Sequence, residues 1–146
     1  MEFIPTFLTL AGFIVGLGAV TVIDLHGFMA RKSGYWTEAT IRAHKITKPL
    51  IWVGIFLVAV GTFLFGVNEI ISSVDFAFRL GIIFLMILNG SFLSFVISPE
   101  LLKREKEGRA SEILPKAMQN KIIISFFISI FLWWGLLAYF VNSLIR

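Results

Sequence analysis

The chain has 146 residues, 58% of them hydrophobic and 15% charged, with no cysteine and a formal net charge of +4. A soluble domain carries about 25% charged residues, and a mean hydropathy of +0.90 is far from both that class and a disordered regulator. Without cysteine there is no disulfide framework, thiolate metal site or thiol redox chemistry.

Four apolar runs in chain order carry the fold. They cover residues 3–23 (21 residues), 49–67 (19), 80–98 (19) and 122–144 (23), and none holds an Asp, Glu, Lys, Arg or His. A helix needs about 20 residues to cross a hydrocarbon core of about 30 Å. Backbone groups in lipid must pair within their own segment, which excludes open strands. The expected fold is therefore all-α, an up-and-down four-helix transmembrane bundle in one domain over residues 1–146. The first run is too long for a signal peptide and is preceded by Met1-Glu2 without a basic n-region, so it reads as a retained span.

Between the runs, the first helix is expected to continue past Asp24 to Lys32 and stop at Gly34, with Thr37 capping the next. Pro49 is expected to kink that helix at the bilayer surface. Ser98-Pro99-Glu100 has the order of a fresh helix start, ending near Gly108. Trp36, Trp52 and Tyr139 fall near span ends, where aromatic residues anchor at the interface.

Of the 13 Lys and Arg residues, 11 lie in the first and third connections: Arg31, Lys32, Arg42, Lys45 and Lys48, then Lys103, Arg104, Lys106, Arg109, Lys116 and Lys121. Arg79 sits in the middle connection and Arg146 ends the chain. By the positive-inside rule the two basic connections face the cytoplasm and both termini lie outside, as in a multi-pass protein of a bacterial inner membrane. Lys103-Arg104-Glu105-Lys106-Glu107 interleaves acids with bases, which suits a solvated helix face and argues against nucleic-acid binding. The lipid bilayer is the expected partner.

Polar groups inside the spans are few. Asn89 stands at the centre of the third run and requires a partner, with Thr62, Ser125 and Ser129 as candidates, either as interhelical glue or as a ligand contact. Gly12 and Gly16 form a GxxxG pair, continued by Ala19 and Ile23 and reaching His26, which provides for close helix contact within the bundle or in a homo-oligomer. Gly54 and Gly61 suggest a second close seam. Asp24, His26, His44, Glu100, Gln119 and Asn120 should all gather at the cytoplasmic end, and His26 and His44 are the candidate cofactor ligands. Each histidine is expected to meet a carboxylate, Asp24 or Glu100, or to face water. No dense catalytic spacing such as HExxH is present, and no catalytic residue is assigned.

The order Gly16-x-Gly18, Asp24, a basic connection, Thr47-Lys48-Pro49-Leu50-Ile51-Trp52 with Gly54, Asn89-Gly90 and Pro99 resembles small bacterial four-helix membrane proteins. In length and topology the whole chain is loosely similar to the membrane protoporphyrinogen-oxidase-like and copper-resistance-D-like proteins. Those families use a first-span histidine for haem or metal, whereas His26 stands at the edge of the first span. The resemblance implies haem b as the cofactor of a redox protein using His26 and His44. The residues themselves point first to a non-enzymatic bundle, either an interaction partner or a binder of a lipophilic ligand.

Overall fold

A computed structural model describes residues 3–68 and 70–145; Met1, Glu2, Glu69 and Arg146 lie outside them. The described chain is all-helical. Helix α1 spans Phe3–Ala30, α2 spans Gly34–Val67, and α3 spans Ser73–Phe92. A π-helical turn, Leu93–Ile97, joins α3 without a break to α4, Ser98–Lys106, and α5 spans Lys116–Ile145. Counting residues 73–106 as one rod, the four helices are each long and apolar enough to cross a membrane. Their outer surfaces match that composition: Ile14 is 76% exposed, Phe95 76% and Phe131 75%. Apolar residues cover the outside because polar ones are too few to do so.

The tightest seam is between α1 and α2, and glycine makes it. A β-carbon on Gly12 would lie 2.8 Å from the Gly54 carbonyl oxygen, and one on Gly54 would lie 2.3 Å from Gly16 Cα. Further along, one on Gly61 would lie 2.2 Å from Thr9 Oγ1. The two glycine pairs expected from the sequence thus form one interface. Trp133 of α5 closes over Gly16, so both residues of the GxxxG pair are covered by the chain's own helices.

Several helix ends differ from expectation. Helix α1 stops at Ala30, and Gly34 begins α2 where the sequence reading had it end α1. The cap of α2 is Ser33, whose hydroxyl accepts from Trp36 N. Thr37 lies inside the helix, donating to the Ala30 and Ser33 carbonyls. Gly34 is needed there for another reason: a β-carbon would lie 1.8 Å from the Ser111 carbonyl oxygen, so the third connection packs on the start of α2. Helix α2 continues through Pro49.

Ser98-Pro99 is not a fresh start either. Ser98 has helical dihedrals and donates its backbone N–H to Leu93 O, five residues back. The π turn inserts one residue, and the missing N–H of Pro99 is absorbed beside it. The charged helix ends at Lys106, and Gly108 takes a positive φ of 72°, which costs glycine nothing.

Two apolar cores stack along the bundle. The larger joins Phe13, Leu17, Val58, Phe65, Trp133 and Phe140, and the smaller, at the basic end, joins Ile41, Ile97, Leu101, Leu114 and Met118. Lys45 Nζ reaches Glu105 at 2.8 Å, which ties the two basic segments together at that end.

Candidate functional site

Where the two cores meet, packing is incomplete. A cavity of about 60 Å³ is walled by Ile23, Ile51, Leu93 and Ile97, with Asp24 and His44 set into it. A smaller one of about 30 Å³ continues from it past Asp24 and Gly90 to Asn89 and Ser129. Helix α1 brings Asp24 to this place by the same periodicity that carries Gly12, Gly16 and Val20 inward. Helix α2 contributes His44 and Lys48, one turn apart on one face.

Two polar side chains of the cavity have an unsatisfied atom. Asp24 is 8% exposed, and its Oδ2 is buried without a hydrogen-bond partner; His44 Nε2 is likewise buried and unpaired. An unmet buried polar atom costs about 1–3 kcal/mol. Two such residues lining one cavity are an arrangement that a bound donor or acceptor relieves. Trp52, expected as an interface anchor, instead turns inward and donates through Nε1 to Ser94 Oγ at 3.2 Å.

The other expected residues separate. His26 Nδ1 donates to the Val22 carbonyl at 2.8 Å, one turn back on its own helix, and its ring packs edge-on to Trp36. It lines neither cavity. Glu100 pairs with Arg104 at 3.3 Å, and Gln119 donates to the Leu114 carbonyl at 2.7 Å. Neither histidine meets Asp24 or Glu100 among the described residues, so the carboxylate alternative does not hold; the helical phase sends His26 away from the face that holds Asp24, and its ring is partly exposed. Asn89 and Ser125 satisfy each other. Asn89 Nδ2 donates to the Ser125 carbonyl at 3.3 Å, and Ser125 Oγ donates to Asn89 Oδ1 at 2.8 Å.

Haem fits these residues poorly. One histidine is committed to its own backbone and to Trp36, and the other faces about 60 Å³. An apolar cavity of about 150 Å³ is what holds a single benzene, and a porphyrin is several times larger. No cluster of three or more His, Asp or Glu residues with metal-binding geometry occurs among the described residues.

A second polar site, at the far end of the bundle, was not read from the sequence, which placed Arg79 in a loop. Helix α3 begins seven residues earlier than the third apolar run, and Arg79 is 1% exposed. Its Nη2 donates to Ser143 Oγ at 2.7 Å, and its guanidinium lies over the rings of Phe65, Phe140 and Tyr139. Asp75 and Tyr139 are within electrostatic reach, and the Tyr139 hydroxyl donates to Asp75. Tyr139 is therefore a partner in this cluster, where an interface anchor was expected. The i,i+4 spacing of Asp75 and Arg79 was the available signal.

Comparison with known protein families, curated proteins and solved structures finds no match to this chain.

Proposed function

We propose that the chain is a multi-pass protein of the bacterial inner membrane that binds a small lipophilic ligand through a polar head placed between Asp24 and His44. The membrane reading draws on four long apolar helices and an apolar outer surface. Both termini lie outside, and the two basic segments, joined by the Lys45–Glu105 pair, lie in the cytoplasm.

One observation carries the ligand reading: Asp24 and His44, each with a buried side-chain atom that has no hydrogen-bond partner, line the same cavity. The fitting ligand has a hydroxyl or amine to donate to Asp24 and an apolar body to meet Ile23, Ile51 and Leu93. At about 60 Å³ the cavity takes only the head of such a ligand.

The test is extraction of small molecules from the purified chain, followed by mass spectrometry and a visible absorption spectrum. A non-haem amphiphile should accompany the native chain and be lost from Asp24→Asn and His44→Ala, while His26→Ala retains it. Equal retention in all variants would defeat the ligand reading. A Soret band lost in His26→Ala or His44→Ala would put a haem protein in its place.

A further inference from the structure

At the basic end, beside the Asp24 cavity and sharing Lys48 and Ser94 with it, a groove of about 410 Å³ runs between α2 and the π-turn–α4 segment. Lys48, Lys103 and Lys106 line it together with Ser94, Ser98, Pro99 and Leu102, so it has three cations, two hydroxyls and no carboxylate. We infer that this groove seats the phosphate of an anionic phospholipid headgroup, whose acyl chains stay in the surrounding bilayer.

The distribution of acids supports this occupant. Each carboxylate on or just beyond α4 is engaged by a cation outside the groove. Glu100 holds Arg104 at 3.3 Å, Glu105 holds Lys45 at 2.8 Å, and Glu107 holds Arg109 at 3.1 Å. Glu107 reaches Lys103 only at 4.0 Å, and no carboxylate pairs with Lys48 or Lys106 among the described residues. The groove therefore keeps a positive surplus, whereas Arg42, Lys45, Arg104 and Arg109 at the same end are each paired with a carboxylate.

The hydroxyls are placed for an anion as well. Ser94 is 7% exposed and accepts from Trp52 Nε1, which leaves its own proton for an acceptor in the groove. The π turn Leu93–Ile97 carries Ser94 and leads directly into Ser98, so the helical irregularity lies at the groove wall. Pro99, lacking an N–H, lines the same wall without adding a donor that needs pairing.

A basic pocket between helices at the cytoplasmic face is the arrangement that binds anionic headgroups, and each lysine contributes about fivefold in affinity. A zwitterionic headgroup brings its own cation and gains little there. The inference rests on the membrane-spanning part of the reading above; Lys48 and Ser94 are shared with the Asp24 cavity, whereas Ser98, Pro99, Leu102, Lys103 and Lys106 line the groove alone.

The experiment uses the full chain. Retention in the membrane fraction after an alkaline wash tests the membrane reading separately, because a chain that washes off fails that reading before any lipid is added. The delipidated protein in dodecyl maltoside is then titrated with dioleoylphosphatidylglycerol or dioleoylphosphatidylcholine, and bound lipid is counted by native mass spectrometry. A third arm uses glycerol 3-phosphate as a free phosphate. Phosphatidylglycerol should bind at least about tenfold more tightly than phosphatidylcholine. Lys103→Gln with Lys106→Gln, which leaves the walls of the Asp24 cavity intact, should weaken it about 25-fold. Lys32→Gln with Arg42→Gln removes the same charge from the same end outside the groove and should change it less than twofold. Equal losses in the two double variants would mean diffuse surface charge and overturn the inference. So would equal binding of the two lipids, or glycerol 3-phosphate competing in the same concentration range as phosphatidylglycerol.

Discussion

Replacing Gly54 by alanine tests the α1–α2 seam on which the Asp24 cavity depends. A β-carbon there would sit 2.3 Å from Gly16 Cα, 2.6 Å from Gly16 N and 2.9 Å from the Gly12 carbonyl oxygen. Carbon atoms pack at about 3.5–4.0 Å, so the helices must part by roughly 1 Å. The obstructing atoms are backbone and cannot rotate away. Overpacking of this kind costs up to about 3 kcal/mol, and the higher helix propensity of alanine returns about 1 kcal/mol. The expected net loss is about 2 kcal/mol. Gly18 is the internal control, because a β-carbon there meets nothing within 4 Å and Gly18→Ala should be neutral or stabilising by up to about 1 kcal/mol. Unfolding both variants in mixed micelles of increasing dodecyl sulfate content, followed by circular dichroism, gives the comparison. If Gly54→Ala unfolds no earlier than Gly18→Ala, the close backbone seam is wrong.

Three further outcomes are expected. Asn89→Leu leaves Ser125 without its side-chain partner and should cost about 0.6–2 kcal/mol, whereas Asn89→Asp sets a carboxylate in the bundle and should cost more; the reverse order in the same unfolding assay would contradict the packing role of Asn89. Arg79→Met removes the Nη2 donor to Ser143 Oγ and the charge near Asp75 and should destabilise by about 1–3 kcal/mol, and adding Asp75→Asn should restore part of that; strictly additive losses would show that the two residues are not coupled. For orientation, cysteines at Lys32 and Glu112 should resist an impermeant maleimide in intact cells while one at Ile70 labels, and labelling at Lys32 would reverse the topology.

The sequence alone determined the helical class, the number of long apolar helices and the residues of the close seam. These follow from run length and from glycine spacing, which are local properties: about 20 apolar residues are a span wherever they occur, and i,i+4 glycines share a face in any helix. Asn89 with Ser125 was legible for the same reason, since a lone amide in an apolar run must find one of few polar partners. Tertiary packing decided the rest. Whether the GxxxG face met a second copy or its own chain depended on Gly54 and Trp133 arriving there, a long-range event. Asp24 and His44 were both singled out as polar residues near span ends, yet only the rotation of α1 against α2 set them in one cavity and sent His26 to Trp36. Arg79 was misplaced because apolar run length marks where lipid-like composition begins, whereas a helix begins where its first turn is capped, here at Ser72. Ser98-Pro99 marked the start of α4 but not a break in the rod, for a related reason. A proline is a local obstacle to a helix, and a π turn supported by Trp52 and the neighbouring core is a non-local way to accommodate it.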